Sequence, residues 1–206
     1  MNLNKEQKII LYLLKNLRAS RINRTLIFKL LFLSDYYFYS RFNKKITQYE
    51  YCKYEYGPFS PAIYSDLEGL EYLGVISCEK YRVIDYIECK YKIEKEVDFE
   101  IEPEISNCLN FVAETGSKFS LNEILNLVYS INIVKKTPKG AIINFKEKEN
   151  DKMKDLKVSK KYKVLAEKLN LSDKEVLSEE SSNEMLKEYL DWSDSIKSVN
   201  KEILSE

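Results

Sequence analysis

The chain has 206 residues, with 33 Lys plus Arg, 33 Asp plus Glu and no histidine, so its formal net charge is zero. A hydrophobic content of 44% with 32% charged residues is too apolar for a disordered protein and too often interrupted by charge for a membrane protein. No apolar run approaches the roughly 20 residues of a bilayer span, and the chain does not open with a signal peptide. We therefore expect a globular protein of the cytoplasm.

Charge is distributed unevenly along the chain. Residues 1–60 contain 11 basic and 4 acidic side chains, a net charge of +7, which leaves −7 for the remainder. This asymmetry fits a basic surface for nucleic acid or for an acidic partner, and it also fits attraction between the two parts of the chain. Composition alone does not decide between these explanations.

The residue types needed for common catalytic sites are missing. Without histidine the chain has no Ser-His-Asp or Cys-His mechanism and no zinc site of the usual kind. The five glycines show no phosphate-binding spacing, and the four cysteines, expected to be reduced, form no C-x-x-C pair. Only Cys78 and Cys89 would face each other, in a hairpin. We expect no catalytic residue, no metal ion and no cofactor.

The first half of the chain predicts three helices and a few short strands. Apolar residues at helical spacing predict helices over residues 5–17 and from Leu26 to about Ser40, with a turn between them. Residues 46–56 alternate aromatic or β-branched side chains with charged ones, which favours a short strand. Pro61 opens a third helix, and Gly74 suits its left-handed C-cap. Residues 75–94 predict a pair of antiparallel strands with a turn near residues 82–85.

The second half predicts further helices. Pro103 begins a helical pattern that Gly116 ends, and the capping box of Ser120 and Glu123 begins another helix. Pro138 and Gly140 break the pattern. The last helix carries a four-three spaced apolar seam, typical of a coiled coil or of a helix laid into a groove: Met185, Tyr189, Trp192, Ile196, Val199 and Ile203.

Together these elements predict a mainly α protein with a small antiparallel β component. We expect a winged-helix-like helical core over residues 1–145, followed by a C-terminal extension of amphipathic helices over residues 146–206.

Three segments carry a family resemblance. LIFKLLFLSDYYFYSRFNKKIT, YEYGPFSPAIYSDLEGLEYLGVI and LVYSINIVKKTPKG resemble the SocA/Panacea superfamily of phage-associated proteins and antitoxins. The residues that carry the motif are an aspartate after an apolar helix, a Tyr-Gly-Pro turn and the helix that follows it: Asp35, Tyr56, Gly57, Pro58, Pro61, Tyr64 and Leu67. The resemblance implies a protein without catalytic activity that binds and neutralises a toxin. These residues then have a structural or a partner-binding role.

The tyrosines near this motif form a candidate partner surface. Tyr49, Tyr51 and Tyr54 lie close to Tyr56 and Tyr64, and tyrosine is enriched at interfaces because it offers a large contact area with little loss of rotamer entropy. We expect about half of these side chains to be buried. The C-terminal seam is a second candidate surface, for packing on its own domain, for a homodimer or for a partner groove. Asp35 is expected to hydrogen-bond backbone groups or a tyrosine hydroxyl.

A DNA-binding transcriptional regulator is the alternative function, because the order of predicted elements is that of a winged helix. Its recognition helix over residues 61–73 would carry Asp66, Glu68 and Glu71 but no Lys or Arg, which disfavours contact with phosphates. The candidate phosphate-contacting patch, which also fits a solvated or internally paired surface, consists of Arg18, Arg21, Arg24, Lys44 and Lys45.

Overall fold

The computed structural model describes residues 3–54, 56–83 and 86–147, and within this range residues 3–81 and 88–147 belong to one compact unit. It is mainly helical with a small antiparallel β component, as predicted. The helices are α1 (Lys5–Asn16), α2 (Arg24–Phe42), α3 (Ala62–Tyr72), α4 (Pro103–Lys118), α5 (Leu121–Ser130) and α6 (Asn132–Lys136). The strands are β1 (Ile22–Asn23), β2 (Cys52–Tyr54), β3 (Gly57–Phe59), β4 (Ile76–Val83) and β5 (Tyr86–Ile93).

Helix α2 is the centre of the core. Its side chains from Ile27 to Tyr36 are all buried, so it is enclosed on every side rather than along one stripe. It contacts α4, α5 and β3. Helix α1 packs against α4 on the same core. Asn43, with φ of +54°, ends α2 in the left-handed conformation that asparagine tolerates. The other elements of the domain are therefore arranged around α2.

Two small sheets flank the helices. In the first, β5 lies between β1 and β4, with Ile22 opposite Tyr91 and Asn23 opposite Lys90. The predicted turn near residues 82–85 includes residues 84 and 85, which lie outside the described residues. Strand β1 was not predicted, because two residues are too short for a periodic signal; the burial of Ile22 against the core accounts for its place in the sheet.

The second sheet is the hairpin of β2 and β3, in which Cys52 is opposite Phe59 and Tyr54 is opposite Gly57. An extended segment, residues 140–143, runs along the other edge of β2. The backbone N–H of Lys53 donates to the Ala141 carbonyl at 2.9 Å, and the N–H of Ile143 donates to the Tyr51 carbonyl at 2.7 Å. Both edges of β2 are thus hydrogen-bonded.

Helix α3 packs through Ile63, Leu67 and Leu70, all fully buried. Gly74 follows it with a φ of +65°, which confirms the predicted left-handed C-cap. The capping box of Ser120 and Glu123 at the start of α5 is also confirmed.

The prediction that Gly116 ends a helix is wrong. Helix α4 continues through Gly116 to Lys118, because the glycine serves a close helix–helix contact rather than a turn. A Cβ at this position would lie 2.7 Å from Cδ1 of Leu30 and 3.1 Å from Cδ2 of Leu17. Only a residue without a side chain allows α4 to approach α2 this closely.

The predicted C-terminal extension and its apolar seam from Met185 to Ile203 lie outside the described residues, and so the boundary at residues 145 and 146 stays a prediction. Among the helices that are described, none is both long enough and apolar enough to cross a membrane.

Candidate functional site

Asp35 of α2 organises the segment that follows this helix. Its Oδ1 accepts hydrogen bonds from the backbone N–H groups of Ile46 and Thr47, each at 2.8 Å. Its Oδ2 accepts a hydrogen bond from the Tyr51 hydroxyl at 2.9 Å and another from the Thr47 hydroxyl. The carboxyl group is fully buried, and backbone groups and a tyrosine hydroxyl are the partners that were expected for it.

Burial and hydrogen bonding have opposite effects on the pKa of Asp35. Burial raises the pKa of the Asp35 carboxyl, while the hydrogen bonds from Thr47 and Tyr51 and the nearby Lys45 ammonium oppose that rise. Burial and the adjacent Asp35 raise the pKa of the Tyr51 hydroxyl well above its ordinary value. The hydroxyl therefore keeps its proton and serves as a donor to the carboxylate.

The structure corrects the expectation that Tyr49 and Tyr51 form a partner surface. Tyr49 is 3% exposed and Tyr51 is 1% exposed, so neither offers contact area to another molecule. The Tyr49 hydroxyl donates to Oδ2 of Asp66 on α3 at 2.7 Å, and Tyr51 packs edge-on against Phe32 with ring centroids 5.3 Å apart. The hydrogen bonds of Asp35 hold residues 46–51 against α2, and in this position both tyrosine rings are buried in the core.

A second buried polar residue of α2 holds the Tyr-Gly-Pro turn. The Lys29 ammonium, on a side chain that is 3% exposed, donates to the Pro58 carbonyl at 3.0 Å. Burial lowers the pKa of Lys29 to about 7, with a small opposing effect from Cys52. Asp35 and Lys29 thus fix the segment before the hairpin and the hairpin itself to the same helix.

The turn residues pack between the hairpin and α5. Gly57 has a φ of +84°, a conformation that favours glycine, and a Cβ there would lie 3.5 Å from Cζ of Tyr129. Tyr56 and Pro58 are buried beside it, Leu67 is buried in α3, and Pro61 is the exposed N-cap of that helix. Most of the predicted motif therefore lies inside the domain.

Tyr54, from the candidate partner surface, and Tyr64, from the family motif, remain half-buried. The Tyr64 ring lies 5.1 Å from Phe28 and 6.0 Å from Phe59, and Tyr54 lies 6.4 Å from Phe59. The guanidinium of Arg24 lies over the Tyr64 ring, 5.1 Å from its centroid. We call Tyr54, Tyr64 and Arg24 the aromatic surface; an arginine stacked on tyrosine is a common element of protein interfaces.

The predicted phosphate-contacting patch is not one surface. Arg18, Arg21 and Arg24 precede or begin α2, whereas Lys44 and Lys45 follow it, and a helix of 19 residues is about 28 Å long. Arg21 is paired with Glu79 at 2.7 Å. Lys45 is turned inward, because its ammonium donates to the Tyr49 carbonyl and lies over the Tyr51 ring.

The cysteines show no metal-binding arrangement. All four are free thiols, and Cys78 and Cys89 lie side by side on β4 and β5, as expected for a hairpin. In residues 3–54, 56–83 and 86–147, no group of three or more Cys, Asp or Glu side chains is positioned to hold a metal ion.

The family comparison matches the part of the chain that contains this site. A family model described as antitoxin SocA-like, Panacea domain, matches residues 27–132, just over half of the chain. The chain belongs to this family. Comparison with curated proteins and with solved structures gives no match. The Panacea domain match begins in α2 and ends at the start of α6, so it includes Asp35, Lys29, the hairpin and α3.

Sequence reasoning missed two residues of this Panacea domain site. Lys29 interrupts an otherwise apolar run over residues 26–33, and that setting was the available signal that its amine is buried. Thr47 gives both its N–H and its hydroxyl to Asp35. No local pattern marks it, because the pairing depends on how the chain turns after α2.

Proposed function

We propose that this chain is a non-catalytic, antitoxin-like protein that binds a partner protein and neutralises it in the cytoplasm. The observation that carries the proposal is the match of residues 27–132 to the antitoxin SocA-like, Panacea domain.

The roles of the buried polar groups support binding rather than chemistry. Asp35 accepts four hydrogen bonds from its own domain, and the Lys29 amine is directed at the Pro58 carbonyl. A carboxylate and an amine used in this way hold a scaffold in shape, because their hydrogen-bonding capacity is directed at backbone and internal hydroxyl groups. The scaffold in turn leaves strand β2 and the start of α3 partly exposed to solvent.

The aromatic surface is the proposed contact site for this partner. Tyr54, Tyr64 and Arg24 are half-buried, and the phenylalanines beneath them fix their positions. Side chains that are already ordered lose little entropy on binding, which favours affinity.

We also infer that the fold is winged-helix-like. The elements α1, β1, α2, α3, β4 and β5 follow the order of a winged helix, and β5 lies between β1 and β4 in the sheet. In such a fold α3 would be the recognition helix. It carries Glu68 and Glu71 without a Lys or Arg, and its Asp66 is bound to Asn4 and Tyr49. The element order is the feature that favours the regulator alternative, but a recognition helix of this charge fits a protein partner better than DNA.

Growth rescue tests the proposed function. Each protein encoded beside this chain in its host genome is expressed alone and then together with the chain. We expect one of them to arrest growth, the chain to restore it, and the two proteins to copurify. If no neighbouring product is both toxic and relieved by the chain, the antitoxin proposal is wrong.

Matched variants test the contact site in the same assay. Tyr54→Ala removes a ring from the aromatic surface, and we expect it to weaken the complex by about tenfold or more. Tyr72→Ala is the control, because Tyr72 lies at the end of α3 and is 92% exposed. A complex that is unaffected by Tyr54→Ala would place the contact elsewhere on the domain.

A further inference from the structure

Lysines surround the place where residues 140–143 pair with β2. We call them the lysine cluster: Lys53, Lys135, Lys136 and Lys139. The Lys53 ammonium donates to the Lys135 carbonyl at 3.3 Å, and the Lys53 carbonyl accepts a hydrogen bond from the Gly140 N–H at 2.6 Å. These two contacts bring a strand lysine next to the end of α6 and to the turn that follows it.

The turn holds its lysine in a defined position. The Ala141 N–H donates to the Pro138 carbonyl at 3.1 Å, and Gly140 has a φ of +80° that suits a turn glycine. Lys139 lies at the exposed tip. Because the backbone is already fixed, binding at this tip costs little backbone entropy.

Three lysines of this cluster, Lys53, Lys135 and Lys136, have no acidic partner among the described residues. Residues 131–146 contain Lys135, Lys136, Lys139 and Lys146 but no Asp or Glu. The helix dipole accounts for lysines at the end of α6, but it does not account for the convergence of Lys53 and Lys139 on the same place.

An exposed apolar side chain lies within the cluster. Ile142 is 64% exposed, although it forms a backbone bridge with Cys52, the residue before Lys53. Its side chain therefore points to solvent from a fixed backbone. An apolar contact ringed by charge is the usual composition of a protein-binding surface, with a desolvated centre and a polar rim.

We propose that the lysine cluster and Ile142 form a docking surface for an acidic protein segment that carries an apolar residue. This inference rests on the proposed function in taking a protein as the partner. A phosphate backbone would satisfy the lysines, but it offers no apolar group for Ile142, and that is why the protein segment is favoured over a nucleic acid.

Fluorescence anisotropy with defined probes tests the proposal. The probes are a labelled polyglutamate peptide with a central pair of leucines, the same peptide with serines in place of leucines, and duplex DNA. The full chain is compared with Lys135→Glu plus Lys136→Glu, with Ile142→Ser, and with the control Lys5→Glu plus Lys95→Glu. The control makes the same change in net charge at exposed lysines outside the cluster.

We expect the leucine-containing peptide to bind the wild-type chain best. Charge reversal at Lys135 and Lys136 should weaken its binding at least about tenfold, and the control should leave it unchanged. Ile142→Ser should weaken binding of the leucine peptide but not of the serine peptide. If the reversal variant does not fold, as judged by circular dichroism, Lys136→Glu plus Lys139→Glu takes its place.

Several results would overturn the proposal. These are equal loss of binding in the control, no effect of charge reversal, or tighter binding of DNA than of the leucine peptide. The peptide assay needs no toxin, so its failure is distinguishable from failure of growth rescue by the chain.

Discussion

The hydroxyl of Tyr51 donates a hydrogen bond to the carboxylate of Asp35, at 2.9 Å and with both residues buried. The two residues are 16 positions apart, and the intervening chain leaves α2, turns and comes back alongside it. This contact and the bonds from Ile46 and Thr47 convert a loop into a fixed part of the core. The stability of the domain should therefore depend strongly on the Asp35 carboxylate.

Replacing Asp35 with asparagine tests this dependence. Asn keeps the shape but puts an NH₂ group where an oxygen now accepts from Thr47 or Tyr51, so at least one buried donor faces another donor. We expect the free energy of unfolding to fall by about 3 kcal/mol. Urea denaturation monitored by circular dichroism measures the change.

Tyr51→Phe is the matched variant, since it removes a single hydrogen bond and keeps the ring. Its expected cost is about 1 kcal/mol. Equal stability of Asp35→Asn and wild type would mean that the carboxylate does not hold this segment.

Lys29 predicts a pH dependence of stability. Its pKa is lowered to about 7 in the folded domain by burial and returns to its ordinary value when the chain unfolds. Between those two values the unfolded state binds more protons than the folded state, so this residue makes the free energy of unfolding rise with pH, by about 1 kcal/mol per pH unit. Below pH 7 both states are protonated and the dependence disappears.

Comparison with Lys29→Met isolates this effect from the other titrating groups. We expect the stability of wild type relative to Lys29→Met to increase from pH 7 to pH 9, in urea titrations at constant ionic strength. Parallel stability curves for the two proteins over this range would show that the Lys29 amine is not buried in its neutral form.

Gly116 predicts an overpacking cost. An alanine methyl would meet Leu30 at 2.7 Å and Leu17 at 3.1 Å, both in the tightly packed contact between helices. We expect Gly116→Ala to destabilise the domain by about 1 to 3 kcal/mol, although alanine is the better helix former. Thermal denaturation compares it with Gly69→Ala.

Gly69 is a suitable control because it also lies inside a helix, α3. A methyl group there would meet Nε2 of Gln7 at 2.7 Å and displace a side chain that caps α1, rather than two leucines of the core. Gly69→Ala is expected to change stability by less than about 1 kcal/mol, because the higher helix propensity of alanine offsets the loss of the Gln7 cap. Similar effects of the two substitutions would contradict the close approach of α4 to α2.

Cys108 predicts slow thiol chemistry. It is 4% exposed, its thiol lies 3.5 Å from the Ser34 carbonyl, and burial raises the pKa of the thiol to about 12. Since the thiolate is the reactive form, we expect Ellman's reagent at pH 8 to label Cys108 at least about 100-fold more slowly in the folded protein than in urea. Peptide mapping by mass spectrometry identifies the labelled cysteine, with half-buried Cys52 as the faster internal reference. Equal rates in the folded and unfolded protein would refute its burial.

The elements that were predicted are those with a local signal. Each of these signals is formed by residues that are close together in the sequence, so their spacing alone reveals them. They are the apolar stripes of α1 and α3, the glycine after α3 and the capping box of α5. The hydrogen bonds of Asp35 were also foreseen, because a carboxylate in an apolar helix needs partners.

The features that were missed depend on contacts between distant residues. Gly116 resembles a helix stop signal in the sequence. Its actual role is a close contact with Leu30 of another helix, and the local sequence does not show that contact. Tyr49 and Tyr51 were assigned to a surface because their alternation with charged residues hides the turn that buries them. The five basic residues do not form one patch, because the helix predicted from Leu26 to about Ser40 is α2, and its length separates the arginines from the two lysines.

Residues 140–143 are an integral part of the domain, because they hydrogen-bond to the edge of β2. The family match ends at residue 132, before this segment begins. A protein truncated there would leave the backbone N–H and carbonyl of Lys53 and the carbonyl of Tyr51 without their partners. It would also uncover β2 as an open sheet edge, a site at which molecules pair with one another and aggregate. Expression of the isolated domain therefore requires the chain to extend at least through residue 143, beyond the boundary of the family match.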